Sequence, residues 1–433
     1  MKYKKTPDLK ELTNALLEYT RLKQEYGSAN PEIYMEEAQV ELEKILNKLK
    51  RHPIDEKMQL LEPDLLSDIK KLRKDGPRRI WQTLPVEEYR DKLEGAFITR
   101  MAGCTLGAPV EFFSVEHMER WAKYTGDTFP PIDYWKMIKF PNDLRYEKGD
   151  YIAYTRDGMN KVPVDDDITY TLLGLLILEE YGPDFTTENV AEAWLKYLPY
   201  ACTAEDIALK NIKIGINAYQ AAENNNPYCQ WIGADIRSDP FAYTAPGYPE
   251  KAAAMAYQDA YLSHRRNGIY GEMFFAATQS AAFSVNHPVK AIEIGLTEIP
   301  SQCMLYKDIS WALEVGNKVK NYRDARKMVQ ERFDTMSDAH TNNNACLTVF
   351  GLLLGGTDVT KVLSETVAMG LDNDCTTATA GSIVGAIVGK NNIPEHWYQN
   401  FNNTVDTYLT GVGEMKIDDV LRRYEKIAKE IMG

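Results

Sequence analysis

Val164-Asp165-Asp166-Asp167-Ile168-Thr169-Tyr170 runs straight into Leu172, Leu173, Leu175, Leu176, Ile177 and Leu178. Three carboxylates at the start of a strongly apolar segment read as a helix that is acidic at its N-terminus and buried along its length. One or two acidic residues there are ordinary helix caps. Three in a row repel one another unless something positive lies between them, and a hard divalent cation accepts such oxygen ligands.

A second segment repeats the pattern. Gly370-Leu371-Asp372-Asn373-Asp374-Cys375-Thr376-Thr377 leads into Ala378-Thr379-Ala380-Gly381-Ser382-Ile383-Val384-Gly385-Ala386, a run of small residues. Alone, Asp-x-Asp followed by hydroxyl residues is equally a turn with an N-cap. Two such clusters, each ahead of a helix expected to be buried, put unpaired carboxylates where charge is expensive, and metal ions would relieve that cost. No His or Cys spacing suits zinc, so the chemistry points to Mg²⁺ or Mn²⁺, with Ca²⁺ also open. Two such ions side by side can orient hydroxyls and activate a water, the equipment of a hydrolase.

Further out lies Glu94-Gly95-Ala96-Phe97-Ile98-Thr99-Arg100-Met101-Ala102-Gly103-Cys104-Thr105-Leu106-Gly107-Ala108-Pro109-Val110-Glu111. Gly95, Gly103 and Gly107 leave one helix face bare for close packing, and as a phosphate loop the pattern is weak. Glu111 follows the helix end set by Pro109, either as a solvated side chain or as a third contribution to the metal and water site. His340, Asn342, Asn343 and Asn344 precede an apolar run and read equally as an N-cap cluster or as a cleft wall.

From residue 84 onward helical periods alternate with Gly/Pro/Asn/Asp loops, with clear stretches at 86–107, 168–181, 187–197, 204–221, 249–263, 271–282, 345–355, 358–368 and 377–389. Residues 228–248 show no such period. The expected fold is all-α, a compact many-helix globule with an appended N-terminal helical segment. Residues 1–83 are expected to form that extension, in which 7–75 read as two or three surface helices broken at 27–31 and Pro53, and 84–433 the main domain, which would carry any catalysis. No fixed-period repeat or low-complexity segment is visible.

The chain has 433 residues, 44% hydrophobic and 26% charged, with a formal net charge of -13. That balance suits a large buried core and repels nucleic acid and anionic lipid, so neither a nucleic-acid polymer nor a membrane is an expected partner. The six cysteines at 104, 202, 229, 303, 346 and 375 make neither a CxxC pair nor a disulfide framework. With no apolar leader and no apolar run of spanning length, the expected location is the cytoplasm.

The four segments at 95–111, 165–167, 259–271 and 370–389, in that order, resemble the ADP-ribosylglycohydrolase family. The likeness runs over about residues 90–390, and 243–247, 264–273 and 389–397 look like a bacterial branch of it. The resemblance implies a compact all-α enzyme with two Mg²⁺ or Mn²⁺ ions in a central cleft, cleaving an N- or O-glycosidic bond to a small-molecule or protein-linked ADP-ribosyl or related ribosyl substrate. By position, Asp165, Asp166 and Asp167 match the family's Thr-Asp-Asp ligands, Asp372 and Asp374 its Asp-x-Asp, and Cys375 the threonine after it. Glu111 matches a glutamate near the metals, and the catalytic proton falls to Glu111 or to Asp372 or Asp374. Gly107, Gly233, Asp235, His264, Tyr270 and Asn344 are implied substrate contacts. Asp165 and Cys375 each stand where the family has threonine, and Asp235 stands where many relatives have Met. The alternative reading is a non-catalytic ADP-ribose-binding or crystallin-like structural protein of the same fold. An all-α prenyl-diphosphate enzyme is disfavoured, because Asp166 and Asp167 lack the further aspartate of Asp-Asp-x-x-Asp.

Overall fold

Leu172, Leu173, Leu175, Ile177 and Leu178 are buried in a helix that spans Asp166–Tyr181. Each such side chain contributes about 1.5–3 kcal/mol relative to exposure, so burial rather than propensity drives this element. Gly182 ends it, with a backbone φ of 74° that glycine adopts without a Cβ clash. The computed structural model describes residue 4 and residues 6–138 and 151–433.

The regular elements of the described residues are helices, apart from one two-stranded antiparallel ladder in which Thr404 pairs with Lys416. The all-α expectation holds. The chain divides into two compact units, residues 1–60 and 61–433, so the division falls earlier than the expected break at 83/84. Residues 61–83 belong to the larger unit: Ile69 is in its core, and Arg73 reaches Glu250 at 2.5 Å and Glu298 at 2.5 Å. In the smaller unit lie two long helices, Leu9–Glu25 and Ile33–Lys50, and the division falls at the last residue of the short helix Glu56–Leu61.

The centre of the larger unit is the helix Asn373–Val388, in which every residue from Asn373 to Ile387 is buried. A helix apolar or small all round must be enclosed on every side. Its closest neighbour is the Val86–Gly107 helix, and glycines make the approach possible. A Cβ on Gly103 would lie 2.3 Å from the Thr377 carbonyl oxygen, one on Gly107 2.3 Å from the Asp374 Cα, and one on Gly385 2.3 Å from the Gly95 carbonyl oxygen. The bare face read from the glycine spacing is therefore a backbone-to-backbone seam, locked by the Thr99 hydroxyl donating to the Gly381 carbonyl at 2.7 Å. The wholly buried Asn267–Ala282 helix packs beside it. The terminal Ile417–Met432 helix buries Val420, Tyr424, Ile427 and Ala428, and the Tyr424 hydroxyl donates to the Thr171 carbonyl at 2.7 Å.

Several helices start about a turn before the apolar period does, at Asp166, Asn267, Thr341 and Asn373. Their first turns are polar because they face the cleft or carry caps. The expected 204–221 helix is shorter, Thr203–Lys213. Gly215 adopts φ 86° there, and the Ile216 N–H turns back to the Asn211 carbonyl at 3.0 Å, a left-handed helix stop. Residues 228–248 hold a 3₁₀ segment, Ile232–Arg237, and a short helix, Asp239–Thr244, too brief to set up a period.

Candidate metal centre and cleft

Both acidic clusters stand at helix N-termini, and the fold brings those two ends together. Asp165 caps the Asp166–Tyr181 helix by accepting the Asp167 N–H at 3.0 Å. Asp372 occupies the N-cap position of Asn373–Val388. Each helix end carries unsatisfied N–H groups and partial positive charge, which favours carboxylates. Ligand oxygens of Asp165, Asp167 and Asp374 lie within 4.8 Å of one another, as do those of Glu111, Asp372 and Asp374. Asp374 belongs to both groups.

Burial raises Asp165, Asp167 and Asp372 well above the usual carboxylate range, and neighbouring carboxylates add to the effect. Asp374 is pushed up to about 6, first by burial and then by Asp166. This is what a crowded set of oxygens does without counter-charge. The Asp374 Oδ1 atom is buried and has no hydrogen-bond partner among the described residues. An all-oxygen donor set with an unpartnered buried oxygen fits a pair of hard divalent ions.

Arg100 holds the first cluster from behind. Its NH2 donates to the Asp167 carbonyl at 2.9 Å and the Ile236 carbonyl at 2.7 Å, and its Nε donates to the Thr171 hydroxyl at 2.7 Å. NH1 lies 2.7 Å from Asp239 Oδ2, close as an ion pair although too misaligned to be a hydrogen bond. Glu111 follows a 3₁₀ turn, Ala108–Val110. Next to it Phe112 takes φ 58° and donates its N–H to the carbonyl of Leu371, at φ 63°, over 2.9 Å. Two non-glycine residues in the left-handed region cost of order 1–3 kcal/mol each. Here they fasten the Glu111 loop to the Asp372 loop.

The clusters open on a cavity of about 290 Å³ lined by Glu111, Phe112, Asp166, Asp167, Tyr170, Cys202, Thr203, Glu205, Trp231, Ile232, Gly233, Ile236, Ala339, Asp372 and Asp374. Among the expected residues, Glu111, Asp166, Asp167, Asp372, Asp374 and Gly233 therefore meet there. Asp165 sits in the first ligand group. Asp166 lines the cavity but joins neither group. Cys375 is buried one residue beyond Asp374, with its thiol pushed well up by burial and then by Asp167, and it joins neither group.

The other expected contacts sit behind the wall. Gly107 packs on the Asp374 backbone. Asp235 is buried with neither carboxylate oxygen hydrogen-bonded. His264 is fully buried against Ser263, 2.8 Å from its hydroxyl, and is held neutral by burial first and Arg237 next. The Tyr270 hydroxyl donates to the Pro63 carbonyl at 2.6 Å. Asn344 is a positioning residue, whose Oδ1 accepts the Asp372 N–H at 3.3 Å. His340 caps the Thr341–Gly355 helix by accepting the Asn342 N–H on Nδ1 at 3.1 Å, so the cap half of the His340–Asn344 reading holds.

Glu205 is the acid that the sequence did not single out. Its carboxylate lies against the bare Cα of Gly233, where a Cβ would be 2.3 Å away, and 2.6 Å from Arg237 NH1. Arg237 is fully buried, pairs also with Asp259, and lies over the Trp194 ring at 5.2 Å and the Tyr170 ring at 5.7 Å. Burial pushes Glu205 up to about 7 even though Arg237 pulls the other way.

The larger unit is thus a helical scaffold with two carboxylate clusters sharing one aspartate at a cleft. The ADP-ribosylglycohydrolase family profile matches residues 85–428, and the chain belongs to that family. A solved structure described as an ADP-ribosylglycohydrolase-related protein complex superposes with a TM-score of 0.52 at 16% identity, covering 80% of this chain and 100% of that one. At that identity the likeness is one of fold. No curated protein sequence matches the chain. Among the described residues, no helix is long and apolar enough to cross a membrane.

Proposed function

We propose that the chain hydrolyses the glycosidic bond of an ADP-ribosyl or related ribosyl substrate at a binuclear Mg²⁺ or Mn²⁺ site. The observation that carries this is the sharing of Asp374 between two ligand groups that open on one cavity. Asp165, Asp167 and Asp374 would hold one ion, and Glu111, Asp372 and Asp374 the other. The ions, when bound, supply an activated water and a hold on the ribose hydroxyls.

The chain's own residues do the rest. Glu111, fixed by the Phe112–Leu371 hydrogen bond, accepts the proton of the attacking water. Phe112, Tyr170 and Trp231 exclude bulk water from the reacting end. A cavity of about 290 Å³ is at the small end for ligand sites, so it takes the ribosyl end and leaves the leaving group at the mouth. Asp235, His264 and Tyr270 act in this reading only through the wall they support. The six unpaired cysteines suit a reducing cytoplasm.

Thermal unfolding with EDTA, Mg²⁺ or Mn²⁺, each with and without ADP-ribose, tests the site, because a ligand selective for the folded state raises its melting point. Hydrolysis of ADP-ribosylated protein and small-molecule substrates tests the reaction. Asp372→Asn should abolish the metal-dependent rise and the turnover together. If it leaves both intact, the assignment is wrong.

A further inference from the structure

The helices Leu9–Glu25 and Ile33–Lys50 have no buried residue. Isolated helices of this length are marginal in water, and helix stability in proteins comes mainly from covering an apolar face. The faces are present. Leu9, Leu12, Leu16 and Tyr19 recur at coiled-coil spacing on the first helix, and Met35, Ala38, Leu42, Ile45 and Leu49 on the second. With Leu46, which shares the second stripe, the exposed members range from Leu16 at 36% to Leu49 at 68%. Their uncovered surface equals about four whole large apolar residues, on the order of 700 Å². The aliphatic stems of flanking Lys and Glu side chains add to it. A standard specific interface takes roughly 800 Å² from each partner.

Charge decides what covers these stripes. From Glu32 to Glu43 the second helix carries Glu32, Glu36, Glu37, Glu41 and Glu43 and no basic residue. From Lys44 to Arg51 it carries Lys44, Lys48, Lys50 and Arg51 and no acidic one. A helix acidic in its first half and basic in its second is complementary to itself reversed. A two-fold axis through its middle supplies that arrangement, setting Glu36 and Glu37 of one copy against the basic end of the other.

We propose that the pair of N-terminal helices is a homodimerisation element, with the Ile33–Lys50 helix packing antiparallel against the same helix of a second copy. The Leu9–Glu25 stripes flank that central pair. The seam is built from each chain's own heptads, and the opposed charge halves fix its direction.

Sedimentation of the full chain over a concentration series should give twice the chain mass, and Ile45→Glu/Leu49→Glu should return it to a monomer. Charge reversal tests the direction and guards against a variant that merely unfolds. Glu36→Lys/Glu37→Lys/Glu41→Lys/Glu43→Lys should weaken self-association by about tenfold or more, as should Lys44→Glu/Lys48→Glu/Lys50→Glu/Arg51→Glu. Mixing the two reversed chains should restore a dimer containing one of each. A parent chain that stays monomeric throughout, a dimer indifferent to the Ile45/Leu49 change, or reversed chains that fail to pair when mixed would each overturn the proposal.

Discussion

Replacing Gly107 by alanine puts a methyl group 2.3 Å from the Cα of Asp374 and 2.5 Å from its backbone nitrogen. Carbon atoms pack at about 3.5–4.0 Å, so the contact is short by about 1 Å or more. Neither atom belongs to a side chain that can swing aside. The Asn373–Val388 helix has to move, and with it Asp372 and Asp374. Overpacking of this kind costs about 1–3 kcal/mol, and exchanging a helical glycine for alanine returns about 0.5–1 kcal/mol. The net loss is about 1–2 kcal/mol, a melting point lower by a few degrees in a chain of this size. The effect on the proposed reaction is larger, because a displacement near 1 Å costs on the order of 10²-fold in rate. Thermal unfolding and turnover of a ribosylated substrate read the two effects separately. Gly103→Ala, which meets the Thr377 carbonyl instead, should lose similar stability and less turnover. If Gly107→Ala melts with the parent and turns over at the parent rate, the seam does not set the position of the acidic loop.

Three further outcomes follow from buried charge. Burial holds the His340 imidazole down at about 4, below its unfolded value of about 6.5. The unfolded chain therefore binds the proton more readily, and stability should fall as pH drops from 6.5 to 4, by up to about 3 kcal/mol. His340→Asn keeps a cap acceptor and should flatten that decline in melting temperature, and an unchanged slope would refute the assignment. Arg100→Met leaves Asp239 and the Asp167 carbonyl without their partner, at a cost of about 3–5 kcal/mol. Adding Asp239→Asn should recover part of the loss in denaturant titrations, and simple additivity would show that the pair is not coupled. Glu205, held at about 7 at the cleft wall, is suited to proton transfer near neutral pH. Glu205→Gln should remove a limb near pH 7 from the profile of kcat/KM, and an unaltered profile would take this carboxyl out of the reaction.

The two acidic clusters, the glycine seam and the helical class were legible because each is written in consecutive or evenly spaced residues. Three adjacent aspartates ahead of a leucine run state both where the charge is and that it will be near the core. Glu205 and Trp231 carry no such local signature. Their place at the cleft depends on Gly233 making room and on Arg237, far along the chain, holding Glu205 in position. The expected residues that lie off the cavity do so for the opposite reason. Neighbours on a helix point about 100° apart, so Cys375 turns away from the groups that Asp374 joins. Gly107 and Tyr270 lie in the right segments with their Cα atoms or side chains facing the packed interior. The Thr203–Lys213 helix stops short of what its apolar spacing predicts because Gly215, a residue helices tolerate, takes a left-handed backbone here.

Where the two glycine-lined helices meet, main chain rests on main chain, with the Thr99 hydroxyl reaching across to the Gly381 carbonyl. Such a joint leaves little room for a larger side chain, so the span between Glu111 and the aspartates is fixed largely by the polypeptide itself. Change in the shape of the cleft has its room elsewhere, at side chains such as Thr203, Trp231 and Ile232 on the far wall, which take no part in that seam.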